Sequence, residues 1–184
     1  MSVTQIGAEP LQTRALARHE IERIWRIDRS EVHHHVYTLH GGDLVRAPAY
    51  FELRGWPAEQ VSEDTPRLYA CFERGGSFIG MFVGEELVGV AVVDTLPLGV
   101  EQDQLQLKYL YVSKPYRGRG VGKRLFGQAK TDAQRRGAKA LYISATPTQN
   151  TVDFYRHCGA VIAARPDPEL YALEPQDIHM TCAL

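Results

Sequence analysis

The chain has 184 residues, 44% of them apolar and 23% charged. At roughly 150 residues per domain this fits one folded unit with a real core and excludes fibrous, low-complexity and wholly disordered classes. The net charge of −1 selects no partner, but between Lys108 and Lys139 ten basic residues stand against one acidic residue, Asp132. That local +9 inside a remainder of −10 suits an anionic partner, or else a solvated helix face.

The longest apolar runs, such as Leu87–Val93, are strand-sized and far short of the ~20 residues a membrane span needs. Met1–Pro10 has neither the basic flank nor the apolar stretch of an export signal, so the cytoplasm is the expected compartment. Cys71, Cys158 and Cys182 are odd in number and lack a C-x-x-C pair. They read as reduced thiols, not as a disulfide scaffold or zinc site.

In chain order, Leu16, Ile21, Ile24, Trp25 and Ile27 lie among charges and predict an amphipathic helix over 14–29. Residues 31–39 read as a second short helical or irregular stretch, which Gly41-Gly42-Asp43 breaks. Residues 48–65 are mixed and aromatic, Pro57 and Pro66 bracket loops, and 66–73 predict one more short helix. Residues 77–83 and 87–94, separated by Gly84-Glu85-Glu86, predict an antiparallel hairpin. Residues 105–112 form a strand that becomes more apolar toward its end. Val121, Leu125, Phe126, Ala129 and Ala133 recur at helical spacing, and Gly137 ends that helix. Strand 140–145 follows through this helix, the connection a parallel pair requires. A short helix over 150–157 closed by Gly159, a loop at 166–168 and a strand over 177–184 complete the pattern. The variable region covers about 1–75, and the sharply patterned core about 76–184.

The segment Val112-Ser-Lys-Pro-Tyr-Arg-Gly-Arg-Gly-Val-Gly-Lys-Arg-Leu125 joins a strand end to a helix start through alternating glycines. It is no P-loop, because Arg124 follows Gly122-Lys123 where a Ser or Thr is needed. It is no dinucleotide fingerprint either, since Lys123 and Leu125 stand where the third glycine belongs. What remains is Arg117-x-x-Gly120-x-Gly122. Glycines there let successive backbone N–H groups converge on an anion at the positive end of a helix. Arg117, Arg119, Lys123 and Arg124 add full charges, which makes a diphosphate cradle without an evident metal.

These residues resemble the acyl-CoA-binding motif of the GCN5-related N-acetyltransferase (GNAT) family. Asn150-Thr-Val-Asp-Phe-Tyr-Arg-His-Cys-Gly159 is similar to that family's second signature. The resemblance implies an α/β fold with a mixed, mostly antiparallel central sheet, a splayed parallel strand pair and helices on both faces. It implies acetyl-CoA as co-substrate, with pantetheine along Leu110, Tyr111 and Val112 and the pyrophosphate in the N–H cluster of Arg117, Gly118, Arg119, Gly120, Val121, Gly122 and Lys123. Asn150, Phe154 and Tyr155 complete the site, and Tyr155 takes the place of the acid that protonates the departing sulfur. One strand N–H polarises the acetyl carbonyl, where negative charge grows as an amine attacks.

The base is open. Gln106 and Lys108 occupy the central strand, leaving Glu101, Asp103, Asp28, Glu31, Glu52 or a water chain. His33-His34-His35 and His40 suggest a metal, but imidazoles ~100° apart on a helix cannot chelate together, so no metal is expected. Tyr37, Tyr50, Phe51 and Trp56 mark the acceptor side. The expectation is direct acetyl transfer to a primary amine of a small molecule. A peptide N-terminus or lysine as acceptor, and a non-catalytic CoA-binding sensor, are the alternatives. Neither nucleic acid nor a membrane is an expected partner, and a homodimer is compatible with the reading.

Overall fold

The computed structural model describes residues 10–184; the start of the chain, read above for an export signal, lies outside the described residues. Nine strands and four α-helices follow in order: β1 (Leu11–Ala15), β2 (Glu31–His40), β3 (Asp43–Leu53), α1 (Ala58–Glu73), β4 (Ser77–Val83), β5 (Glu86–Leu98), β6 (Gln104–Val112), α2 (Val121–Arg135), β7 (Ala140–Ala145), α3 (Gln149–His157), β8 (Val161–Ile162), α4 (Pro168–Leu173) and β9 (Ile178–Ala183). Seven strands make one sheet in the order β1-β4-β5-β6-β7-β9-β8, and β2 and β3 form a separate hairpin. Every neighbouring pair in the large sheet is antiparallel except β6 with β7. The helix-linked parallel pair and the 77–94 hairpin stand as the sequence predicts.

The N-terminal third departs from its expected form in three places. Leu11–Ala15 is a strand on the sheet edge, and the helix after it is a 3-10 helix over Arg18–Arg26. Ile21, Ile24 and Ile27 are spaced by three, which is the 3-10 repeat, and all three are buried. Residues 31–39, expected to be helical or irregular, are strand β2. Val32, Val36, Tyr37 and Thr38 favour extended backbone, and Gly41 and Gly42, both at positive φ, close a two-residue hairpin loop between His40 and Asp43. Finally, α1 begins eight residues earlier than Pro66 and runs through it. Burial of Leu68 and Cys71 against the sheet outweighs the one hydrogen bond the proline removes.

Two apolar layers sandwich the sheet. One packs α2 and α3 on Leu105, Leu107, Leu141 and Ile143. The other packs the 3-10 helix and α1 on Val90, Val92 and Tyr109. Strand β6 serves both because its register slips: Val92 opposes Tyr109 while Val93 opposes Leu107, which leaves Lys108 as the extra residue of a bulge. Leu105 and Leu107 face the α2 layer, whereas Tyr109 and Tyr111 face the α1 layer and Leu110 and Val112 turn back to α2. Leu105, Leu107, Tyr109 and Tyr111, alternate in sequence, therefore do not share one face of the sheet.

Asp94 braces the bulge from β5. Its carboxylate is buried, takes two bonds from Arg74 Nη2 at 3.1 and 3.0 Å, and lies 3.6 Å from Lys108 Nζ. Burial pushes its pKa up, but the Thr95 N–H, Arg74 and Lys108 together outweigh that and hold it below the usual carboxylate value. A group whose folded pKa is lowered stabilises above its unfolded pKa and loses that contribution as pH falls. Asp94→Asn is expected to cost about 2 kcal/mol in urea unfolding at pH 7, with the gap from wild type narrowing below about pH 4. An unchanged midpoint at pH 7 would show that the brace is idle. The thiols are all free; Cys71 and Cys182 are buried, and burial pushes Cys71 up to about 12.

Candidate active site

Strands β6 and β7 pair over three positions, Gln104 with Ala140, Leu105 with Leu141 and Gln106 with Tyr142. Beyond them the strands part, so from Leu107 to Val112 the edge of β6 that faces β7 has no ladder partner. Leu110, Tyr111 and Val112 stand on this open edge while their other side stays paired to Ala91, Val90 and Gly89 of β5. A rigid strand with unpaired backbone donors and acceptors is what an extended amide-bearing ligand needs.

The open edge leads through the short turn Lys114–Tyr116 to the glycines. Gly118 and Gly120 have φ of 72° and 77°, and a side chain built on either would meet no atom within 4 Å. Gly120 caps α2 with no side-chain hydrogen bond, so the first N–H groups of the helix, at Val121, Gly122 and Lys123, have neither a side-chain cap nor an intrahelical acceptor. Gly122 does different work: an added Cβ would lie 3.3 Å from the Phe154 ring and 3.6 Å from Val112 Cγ2, so its smallness seats α2 against both. Lys108, Arg117, Arg136 and Lys139 of the basic window are paired with acids. Lys114, Arg119, Lys123 and Arg124 carry no ion pair among the described residues and are exposed around the turn. The turn fits a diphosphate by its open donors, its bare glycines and these four cations.

Arg117 is spent elsewhere. Its Nε donates to Val112 O at 3.0 Å, Nη1 to Ser30 O at 3.2 Å and Nη2 to Asp28 O at 3.4 Å, and Nη1 lies 3.3 Å from Glu31. Asn150 Nδ2 donates to the same Glu31 carboxylate at 2.6 Å. Both residues therefore tie the base of the β2–β3 hairpin to the glycine turn and to α3. Tyr37 extends the seam: its N–H bonds Pro147 O and its hydroxyl bonds Asp153 on α3.

Tyr155 lies on α3 among Phe126, Phe154 and Val152, 7% exposed, and among the described residues its hydroxyl makes no hydrogen bond. Burial, then Tyr111, pushes its pKa far above the usual phenol value, so the proton stays on the oxygen until something stronger asks for it. Tyr111 and Tyr109 present an aromatic wall with Trp56 and Trp25, the closest ring centroids being 4.7 Å apart. Tyr109 Oη donates to Asp64 at 2.6 Å, and Arg29 stacks over Trp56.

The carboxylates named from sequence as bases lie apart from this opening or are engaged. Asp103 pairs with Lys139 at the closed end of the strand pair, Glu52 with Arg54, and Glu31 with Arg117, while Asp28 accepts from the Ser30 N–H. The carboxylate that does stand near the mouth is Asp177, which sequence reasoning passed over as the start of a strand. It immediately precedes Ile178, the partner of the last β7 residue Ala145. His33, read as part of a helical run, is instead buried in β2 against Phe51, and burial lowers its pKa. Among the described residues no group of three His, Cys, Asp or Glu side chains could hold a metal, and no helix is long and apolar enough to cross a membrane.

Residues 19–160 match the Acetyltransferase (GNAT) family, and the chain belongs to it. It is an acyltransferase of the acetyltransferase class. No curated protein matches the sequence. Among solved structures, nourseothricin acetyltransferase superposes with a TM-score of 0.71 at 21% identity, over 94% of this chain and 98% of that one. A Bacillus anthracis str. Ames protein, provisionally assigned as a streptothricin acetyltransferase and bound to acetyl coenzyme A, gives 0.70 at 18% identity over 95% and 99%. The ribosomal-protein-S18-alanine N-acetyltransferase of Escherichia coli gives 0.57 at 14% over 95% and 94%. At these identities the likeness is one of fold.

Proposed function

We propose that the protein transfers the acetyl group of acetyl-CoA directly to a primary amine of a small molecule. The observation that carries this reading is the continuity of the open β6 edge with the uncapped start of α2, a track of unpaired backbone donors ending in a cationic turn. Leu110–Val112 would pair the pantetheine amides, and Gly118–Lys123 would hold the pyrophosphate. Tyr155 would give its proton to the departing sulfur, whose ordinary pKa, near that of a Cys thiol at ~8.5, lies far below that of the phenol. The donation therefore needs the sulfur's negative charge to be developing while the tyrosinate is stabilised by what surrounds it.

A small acceptor is supported by the hairpin, because β2 forms one wall of a cavity of about 450 Å³ whose other walls come from α4 and the head of β9. The two neighbours of highest TM-score reported above are named for small-molecule acceptors, and the Escherichia coli neighbour for a protein one. Titration calorimetry is the test: acetyl-CoA should give a saturating 1:1 heat, and free thiol should appear only when an amine is added. No heat up to millimolar donor would end the reading.

A further inference from the structure

The walled cavity is lined by Val36, Tyr37 and Leu39 of β2 on one side, Pro147 beyond β7, and Tyr171 of α4 with Asp177 at the head of β9 on the other. Its walls are largely aliphatic and proline-rich, and Asp177 is the one carboxylate lining it. No Lys or Arg lines it, and the Asp177 side chain forms no ion pair or hydrogen bond among the described residues. A partly buried carboxylate in an apolar cavity with no cation beside it is left short of solvation, a deficit that a cationic ligand removes.

The carboxylate is held in place from behind. The Asp177 N–H and His179 Nε2 both bond Glu174 O, each at 3.1 Å. With Nε2 donating, His179 Nδ1 accepts from Tyr142 Oη at 2.8 Å, and that oxygen accepts the Asp167 N–H at 2.9 Å. This chain fixes the turn that carries Asp177. After burial, Glu174 and Asp177 help to raise the Tyr111 phenol, and Tyr111 in turn helps to raise that of Tyr155.

Resting on the acetyl-transfer reading, we propose that this cavity receives the acceptor as an aliphatic primary ammonium, and that Asp177 holds the ammonium and takes its proton. Burial, then Glu174, raises the Asp177 carboxyl to about 6. Glu174 on its own turn is the charge that acts on it, and the other titratable groups that line the cavity with it are His179 on β9, Tyr171 on α4 and Tyr37 on β2. Set in these apolar surroundings, the carboxylate is a better proton acceptor than a solvated aspartate. The step balances. Asp177 removes one N–H proton, the freed lone pair forms the C–N bond as the C–S bond breaks, and Tyr155 supplies the sulfur's proton. The second N–H proton then reaches Tyr155 through solvent, and Asp177 releases its own to water.

The experiment compares wild type, Asp177→Asn and Asp177→Glu with hexylamine, cadaverine and lysine ethyl ester as probes, each with saturating acetyl-CoA. Asp177→Asn should lower kcat/KM for the amines about 100-fold and weaken their calorimetric binding to the CoA-loaded protein at least tenfold, with acetyl-CoA affinity within twofold of wild type. Wild-type kcat/KM should fall on the acid side near pH 6, a limb absent from Asp177→Asn and kept by Asp177→Glu. At pH 8 the melting temperature of Asp177→Asn should equal or exceed that of wild type, because a carboxyl with a raised folded pKa destabilises the fold once ionised. Retained kcat/KM in Asp177→Asn, or acetyl-CoA binding by wild type without binding or acetylation of any probe, overturns the assignment and leaves the donor reading standing. Failure of wild type to bind acetyl-CoA removes both.

Discussion

Gly120→Asp is expected to reduce acetyl-CoA affinity by at least 100-fold, about 2.8 kcal/mol, while the protein stays folded. The position is the N-cap of α2, and its built Cβ meets nothing, so the new side chain enters the space the diphosphate would occupy. An aspartate there also caps the helix, drawing to its own carboxylate the free N–H groups of Gly122 and Lys123 that an anionic ligand needs. Capping adds roughly 1 kcal/mol of helix stability, and the left-handed φ of 77° costs a non-glycine residue roughly 1–2 kcal/mol. The two nearly cancel, so the melting temperature should move by only a few degrees. Gly120→Ala separates the effects: it keeps the strain, adds no charge, and should lose much less affinity. Wild-type affinity in Gly120→Asp would move the diphosphate away from this turn.

Tyr155→Phe is expected to lower kcat by about 100- to 1,000-fold with little change in acetyl-CoA affinity. The hydroxyl has no hydrogen-bond partner among the described residues, so its removal orphans none of them and leaves Phe126 and Phe154 packed as before. The loss should therefore appear in the transition state and not in binding, which steady-state kinetics beside a calorimetric titration will separate. It should shrink with a thioester whose thiol is more acidic, because such a leaving group needs less help. A normal kcat would take Tyr155 out of the chemistry.

The C-terminal two thirds of the fold was legible because its signals are local. Alternating strands, a helix with one apolar face and glycines at both ends of α2 each specify their element without reference to the rest. The N-terminal third was less so. The spacing of Ile21, Ile24 and Ile27 marks a 3-10 turn, yet reads as helix in general, and Gly41-Gly42 reads as a break, though between two extended runs it is a hairpin signal. The glycine turn, the open strand and Tyr155 came from motif and resemblance. What sequence left undecided was pairing. Arg117 and Asn150 look like ligand contacts until the chain brings Glu31, 86 and 119 positions away, between them. Asp177 carries no motif at all; only folding places it in a cavity without a cation.

The supernumerary residue at Lys108 has a last consequence, for anyone engineering or aligning this strand. Sidedness downstream of it depends on chain length and not on side-chain identity. Removing one residue there, with every letter after it unchanged, would swing Tyr109 and Tyr111 under α2 and send Leu110 and Val112 toward Trp25 and Trp56. The aromatic cluster around Trp25 and Trp56 would then meet aliphatic side chains from β6. Deletions at this spot should accordingly be far less tolerated than substitutions.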